Sequence, residues 1–167
     1  MIDPLTIQYL WRYMVHADDQ MIAAAGTVPQ AGYFREFDIS AGSIHKLLVH
    51  ALGAQQIWLE RLLGHDPRKF LDPNDLPQLS DVAARWPDLH NQLLEFAERQ
   101  TPSSLAVILH GRNMKGTPFA LPVGAVMLHV CDHATYHRGQ LNSMIKMAGG
   151  TPSPVMLYTF AMRAEAV

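Results

Sequence analysis

The sequence predicts an all-α protein, a four-helix bundle formed by a single domain over residues 1–167. Two observations favour this class. Four long segments carry apolar residues at the three- and four-residue spacing of amphipathic helices, and Pro and Gly residues separate these segments. The chain has 167 residues, of which 49% are hydrophobic and 17% charged, so its length and composition suit one domain with a substantial core.

The first two helices have clear start and stop signals. Asp3 is suited to cap the first helix, Pro4 fits its first position, and Gly26 marks its end. The second helix is expected to begin within residues 40–43 and to run to Gly64. Both segments place leucines and other apolar residues on one side, as a bundle requires.

The third and fourth predicted helices also have start and stop signals in the sequence. Ser80 is the expected cap of the third helix, which ends before Pro102, and Pro87 inside it predicts a kink. The fourth helix opens at Pro122 and continues to the Gly149–Gly150 pair, and it is the longest and most apolar segment.

Two shorter elements complete the predicted fold. Alternating apolar residues over 105–109, a turn-prone segment and an extended pattern over 117–121 predict a short hairpin between the third and fourth helices. After Pro154, apolar residues over 157–162 predict a last short helix that packs on the bundle.

Charge and composition disfavour several classes of partner. The chain has 13 Lys and Arg against 15 Asp and Glu and no run of like charge, so nucleic acid is not an expected partner. We expect no signal peptide, since residues 1–4 lack a basic region, and no membrane span, since no apolar run approaches about 20 residues. One cysteine, Cys131, fits a reducing compartment, so we expect a cytoplasmic protein.

Three of the nine histidines recur every fourth residue in the fourth helix, at His129, His133 and His137. Neighbours in this row lie one turn apart on one face and are suited to bind one metal ion. All three cannot bind the same ion, because the outer two are about 12 Å apart along the axis. The spacing therefore leaves two pairs open, and His133 belongs to both.

A metal ion is the favoured interpretation of this row, although one isolated histidine on an apolar face is more often a hydrogen-bonded core residue. The third ligand is expected from the second helix, where His50 lies on the apolar stripe and His45 lies in the more exposed first turn. His16 in the first helix is a further candidate. The other histidines are predicted to be ordinary surface residues: His65, His90 and His110.

Neighbours of the histidine row are weaker candidates. Gln140 follows His137 by three residues and is placed to orient a ligand or a bound water, or else is a surface amide. His129 either borders the cavity or makes a core hydrogen bond. Gly139 suggests close helix packing, and Arg138 has Glu60, Asp132 or solvent as alternative partners.

The string from His129 to Gln140, HVCDHATYHRGQ, resembles the signature of the DinB-like, or YfiT-like, family of proposed metalloenzymes. Residues 43–62, with Leu48-Val49-His50 followed by Trp58-Leu59-Glu60-Arg61-Leu62, resemble the second helix of that family. The similarity extends over nearly the whole chain. It implies a four-helix bundle, often dimeric, whose metal ligands are His50, His133 and His137. The family name does not imply a polymerase or a DNA-binding activity.

The resemblance also implies a class of chemistry. Three protein ligands leave a position for water or substrate, as in catalytic metal sites. Relatives include transferases and isomerases that use low-molecular-weight thiols. We therefore expect a homodimeric enzyme that uses a divalent ion, zinc or nickel first and iron second, and acts on a small-molecule substrate. The leading hypothesis is thiol S-transfer to small electrophiles, and a metal-dependent hydrolase is also considered. The alternative is a non-catalytic, metal-stabilised dimeric stress or interaction protein. Spacing identifies no catalytic acid or base.

Overall fold

The computed structural model describes residues 2–39 and 41–162, most of which are helical. The helices are α1 (Pro4–Ala25), α2 (Gln30–Tyr33), α3 (Ile44–Leu62), α4 (Leu79–Glu98), α5 (Pro102–Ala106), α6 (Val123–Met147) and α7 (Leu157–Ala161). A 3-10 turn covers Pro73–Asp75, and two strands, β1 (Ile108–Arg112) and β2 (Pro118–Pro122), form the only sheet in these ranges. The prediction of an all-α fold is confirmed.

The four long helices, α1, α3, α4 and α6, form the bundle. The helix α1 packs against α4 and α6, and α3 packs against the same two helices. In consequence α1 and α3 occupy opposite corners of the bundle, and α3 and α6 are neighbours. That adjacency allows side chains of α3 to meet side chains of α6, as metal sites in bundles require.

Local capping explains where α1 and α3 begin. The Asp3 carboxylate accepts a hydrogen bond from the Thr6 backbone N–H at 2.9 Å, and Ser43 Oγ accepts one from the Lys46 N–H at 3.1 Å. Such bonds satisfy amides that the helix itself leaves without partners. The starts of α1 and α3 agree with the sequence prediction. Residue 40, the first residue of the range 40–43 predicted for the start of the second helix, lies outside the described residues.

The start of α4 corrects the prediction that Ser80 caps it. The helix begins at Leu79, and the Asp81 carboxylate accepts a hydrogen bond from the Gln78 backbone N–H at 2.9 Å. Ser80 therefore lies inside the first turn. Pro87 lies within α4, and the helix continues through it.

The predicted hairpin is present but begins later than expected. Leu105 belongs to α5, where Thr101 Oγ1 accepts a hydrogen bond from the Ser104 N–H at 3.1 Å. The antiparallel strands β1 and β2 pair from Ile108 opposite Pro122 to Arg112 opposite Pro118. At the tip, Asn113 Oδ1 accepts hydrogen bonds from the backbone N–H groups of residues 115 and 117, at 2.9 and 3.0 Å.

The bundle encloses a continuous apolar core. Trp11 and Trp86 are among its largest fully buried side chains. The Trp11 indole Nε1 donates a hydrogen bond to the Met127 carbonyl at 3.1 Å, which ties α1 to α6. No described helix combines the length and apolar character needed to cross a membrane.

Candidate metal centre

The structure brings together His50, His133 and His137. His50 lies near the middle of α3, and the other two lie one turn apart on the facing side of α6. One ring nitrogen from each histidine lies within 4.8 Å of the other two. Among the described residues, this is the only group of three or more His, Cys, Asp or Glu side chains placed to hold an ion.

The rings of these three histidines face one another closely. His133 Nε2 and His137 Nε2 are 3.1 Å apart, and their ring centroids are 4.3 Å apart. The His50 ring meets the His137 ring edge-on at 4.8 Å and the His133 ring at 5.5 Å. The imidazole nitrogens therefore converge from two helices onto one point of the bundle.

Gln140 fixes the orientation of one of these rings. Its Oε1 lies 2.8 Å from His137 Nδ1. An amide oxygen only accepts hydrogen bonds, so His137 Nδ1 carries the proton and donates it. The lone pair of His137 then resides on Nε2, the nitrogen that faces His133. This contact corresponds to the orienting role considered for Gln140 from its spacing.

Burial keeps the three imidazoles neutral. Desolvation, followed by the charges of the neighbouring histidines, lowers the pKa of His133 to about 4. Desolvation and the neighbouring His137 lower the pKa of His50, and desolvation also lowers that of His137. A neutral imidazole is the form that binds a metal ion, so the cluster is ready to act as a ligand set at neutral pH.

The donor set fits a divalent ion. Metal–nitrogen bonds are about 2.0 to 2.1 Å long, which places two nitrogens of a tetrahedral site about 3.3 Å apart. The His133–His137 separation of 3.1 Å is close to that value, and the other pairs lie within 4.8 Å. Three imidazoles suit zinc, nickel and iron. Three neutral imidazole donors at these separations therefore suit one divalent ion.

Four of the remaining histidines lie outside this cluster, among them His129 of α6 and His16 of α1. His129 is exposed, and its ring contacts Trp58 at 5.2 Å and His133 at 5.8 Å. His16 contacts the Phe160 ring at 5.3 Å and is not part of the three-histidine group. His65 and His110 are exposed, as predicted.

Two expectations about histidines are wrong. His90, predicted to lie on the surface, is 5% exposed, and its ring nitrogens face Asp19 at 3.5 Å and Asp18 at 3.8 Å. His45, expected near solvent, is buried with Nε2 2.7 Å from the Leu76 carbonyl. In each case the polar partner comes from a distant segment of the chain, which the sequence of the helix itself does not indicate.

Arg138 also has a partner that the sequence did not suggest. It is buried, its Nη1 lies 3.8 Å from Asp18 Oδ1, and its Nη2 donates to Thr135 Oγ1 at 2.6 Å. Neither Glu60 nor Asp132 forms an ion pair with it among the described residues.

Burial raises the pKa of the Cys131 thiol to about 12, so this cysteine is neither a thiolate nor a nucleophile.

A cavity of about 360 Å³ opens beside the histidines. His133 lies in its wall, together with Trp58 and Arg61 of α3, Phe70 and the hairpin tip at residues 113–115. Phe70 also contacts the His50 ring at 5.4 Å. A volume above about 300 Å³ is in the range of small-molecule sites. Arg61 carries no signal in the sequence that marks it as a site residue, because only the tertiary structure shows that this charged residue is buried.

Comparisons with known proteins show what the sequence of this chain is similar to. The family model described as the DinB family matches residues 1–165. The protein DinB of Bacillus subtilis (strain 168) is 25% identical over 163 residues, which cover 93% of this chain and 95% of that protein.

Solved structures resemble the fold. A DinB-like protein from Bacillus cereus ATCC 10987 superposes with a TM-score of 0.63 at 18% identity, covering 87% of this chain and 93% of that chain. A DinB-like protein from Bacillus subtilis gives a TM-score of 0.61 at 13% identity, with 87% and 95% covered. At these identities the likeness concerns the fold alone.

Proposed function

Because the chain belongs to the DinB family, we propose that it is a cytoplasmic, homodimeric metal-dependent enzyme that transfers a low-molecular-weight thiol to small electrophiles. His50, His133 and His137 hold one divalent ion, with zinc or nickel ahead of iron. The observation that carries the proposal is the convergence of three imidazole nitrogens within 4.8 Å, from two helices, beside a cavity.

The donor set favours catalysis over a purely structural role. Structural sites have four protein ligands, whereas catalytic sites keep a position for water or substrate. The three histidines supply three donors, and no fourth His, Cys, Asp or Glu joins the group within the described residues. When bound, a divalent ion supplies Lewis-acid activation that lowers the pKa of a thiol nucleophile.

The protein's own residues bind and orient the reactants. Gln140 holds His137 with Nε2 toward the site, and Trp58 and Phe70 give the cavity beside His133 an apolar part of its wall. In the transfer, the thiol sulfur forms a bond to the electrophilic carbon and the thiol proton passes to solvent. With an alkylating electrophile the leaving group departs with its bonding electron pair. With an epoxide or an activated alkene that pair stays on the ring oxygen or the α-carbon, which takes up a proton. A hydrolase with water in place of the thiol would use the same ligand set.

A direct test screens thiols against electrophiles. Metal-loaded protein, with occupancy confirmed by mass spectrometry, is incubated with a panel of low-molecular-weight thiols and alkylating or epoxide electrophiles, and conjugates are quantified. We expect conjugation above the uncatalysed rate with wild type and none above it with His50→Ala. The exposed His65→Ala variant is the matched control and should retain activity. Absence of conjugation across the panel would contradict the transferase proposal.

The second candidate is a metal-stabilised, non-catalytic dimer. It is favoured by the fact that the ligands come from two helices, so that a bound ion would tie α3 to α6. A structural ion contributes folding free energy outright. Chelation should then lower the melting temperature strongly and abolish cooperative unfolding. A modest change in melting temperature together with loss of conjugation would favour the enzyme.

A further inference from the structure

Arg61 is a buried cation at the end of α3, and the residue is 5% exposed. Its guanidinium carbon lies 4.7 Å from the centroid of the Trp58 ring and 6.0 Å from that of Phe119. Its Nη2 donates to the Met114 sulfur at 3.4 Å, and its buried Nε has no hydrogen-bond partner. In the described ranges, no carboxylate lies within 4 Å of the guanidinium.

These contacts leave the charge of Arg61 poorly compensated. A thioether is a weak acceptor, and aromatic faces offset only part of the cost of removing a cation from water. Burial lowers the pKa of Arg61, and the nearby Asp66 opposes this shift. Asp66, however, is exposed and pairs with Arg68 at 2.6 Å. Buried charges in proteins are normally paired, so Arg61 has capacity for an anionic partner from outside the chain.

The position of Arg61 indicates which partner this is. Arg61 and His133 lie in the wall of the same 360 Å³ cavity. Lys115 at the hairpin tip adds a second positive charge to that wall, and no Asp or Glu belongs to it. Trp58 and Phe70 supply apolar surface in the same wall. The cavity wall therefore contains two cations and one member of the histidine cluster, His133.

We propose that the small reactant bound at the histidine site carries a carboxylate and that Arg61 binds this carboxylate. The guanidinium pairs with carboxylates through two parallel hydrogen bonds, which fixes the orientation of a ligand as well as its affinity. The reacting end of the molecule then faces His133. This inference rests on the proposed function of the histidine site and adds the substrate class, a small organic acid. The acid is either the thiol or its electrophile.

The test compares acid and neutral molecules of matched shape. Dissociation constants for zinc-loaded full-length protein are measured by calorimetry with mercaptohexanoate and mercaptohexanol, and with acrylate and acrylamide. We expect the acid to bind about 10- to 100-fold more tightly than its neutral counterpart in at least one pair. The thiol pair reports on the thiol and the acrylic pair on the electrophile.

Variants assign the preference to Arg61. Arg61→Gln should abolish the acid preference, and Arg61→Lys should retain part of it, because Lys keeps the charge but not the paired hydrogen bonds. Lys115→Gln removes an exposed charge from the same wall and should retain most of the preference. The ratio of acid to neutral affinity is compared between variants, so intrinsic differences between the two molecules cancel.

The outcomes separate this inference from the proposed function. Equal affinities of acid and neutral molecules in wild type, in both pairs, would overturn the inference without the use of any variant. Failure of both thiols to bind zinc-loaded protein would contradict the thiol chemistry, and the acrylic pair would then decide whether Arg61 binds acids. An unchanged preference in folded Arg61→Gln would also overturn the assignment to Arg61. Should Arg61→Gln not fold, the ratio of acid to neutral affinity is compared between Arg61→Lys and wild type. An equal ratio in these two proteins would then overturn the assignment to Arg61.

Discussion

Gln140 Oε1 accepts a hydrogen bond from His137 Nδ1 at 2.8 Å, and this contact determines which nitrogen of His137 faces the cluster. The two residues lie three positions apart on α6, so the helix itself sets their separation. The half-buried amide of Gln140 therefore orients a proposed ligand on the same helix.

The first prediction concerns a variant that lacks the hydrogen bond between His137 and Gln140. Gln140→Ala should weaken zinc binding about 10- to 100-fold, because partners of ligating histidines fix the ring and raise its basicity. Competition against a chromogenic chelator measures the affinity. Gln92→Ala removes an exposed amide on α4 that pairs with Asp88, and it should leave zinc affinity unchanged. Equal zinc affinity in Gln140→Ala and wild type would exclude the orienting role.

The second prediction concerns the pH dependence of the metal-free protein. His133 has a pKa of about 4 in the folded state against 6.5 for a free histidine. Between these values the unfolded chain binds more protons, so acid favours unfolding. The contribution of the neutral His133 ring to the free energy of unfolding is fully present above about pH 6.5, and it is lost as the pH falls toward 4. His50 and His137, whose pKa values are also lowered, act in the same direction.

Urea denaturation of chelator-treated protein between pH 4 and pH 7 measures this dependence. The free energy of unfolding should fall with decreasing pH, and His133→Gln should show a shallower fall. His65→Gln changes an exposed histidine and should follow wild type. Identical slopes for wild type and His133→Gln would show that His133 is not buried as a neutral ring.

The third prediction addresses the buried ion pair. Arg138 and Asp18 are each 5% exposed, with Nη1 and Oδ1 3.8 Å apart. Arg138→Met leaves Asp18 with the hydrogen bond from Gln55 Nε2 at 2.6 Å and with His90 at 3.8 Å, and it should cost about 1 to 3 kcal/mol of unfolding free energy. Arg12→Met breaks the exposed pair with Glu98 and should cost less than about 1 kcal/mol.

A double-mutant cycle identifies the partner of Arg138. Adding Asp18→Asn to Arg138→Met should recover part of the loss, because the carboxylate that lacks its arginine partner is then removed. Strictly additive losses would mean that Asp18 does not interact with Arg138. Equilibrium denaturation of the two single variants and the double variant gives the coupling free energy.

The fourth prediction concerns Gly139, where the expectation of close helix packing is wrong. A Cβ built at Gly139 meets no atom within 4 Å, although the residue lies inside α6. Gly139→Ala should therefore raise the unfolding free energy by about 0.5 to 1 kcal/mol. At Gly124 a Cβ would lie 3.0 Å from Ile2 Cδ1, so Gly124→Ala should gain less. A destabilised Gly139→Ala would contradict the open surroundings.

Periodicity and capping residues predicted the bundle well. The four long helices follow from apolar spacing, and Asp3 and Ser43 cap α1 and α3 as their side chains suggest. The predicted boundaries were wrong where another capping interaction starts a helix earlier in the chain. At α4, Asp81 accepts the Gln78 N–H and starts the helix before Ser80, and Thr101 starts the short helix α5 that contains Leu105.

The candidate site was predictable only in part. The four-residue spacing on α6 left two histidine pairs open, both containing His133, and the apolar stripe of the second helix favoured His50. The family resemblance selected the pair of His133 and His137, which the structure brings together with His50. The buried partners of His90 and Arg138 were not predictable, because Asp18 and Asp19 come from α1 and approach only in the folded bundle. Arg61 was missed for the same reason, since its burial depends on the hairpin.

The metal content of the untagged protein decides whether the three histidines bind an ion. Mass spectrometry of wild type should find about one equivalent of a divalent metal, bound by His50, His133 and His137. His50→Ala and His137→Ala should lose the ion while circular dichroism shows a folded bundle, and the matched control His110→Ala should retain it. A wild-type protein that binds no metal after reconstitution, or ligand variants that keep a full equivalent, would contradict the account.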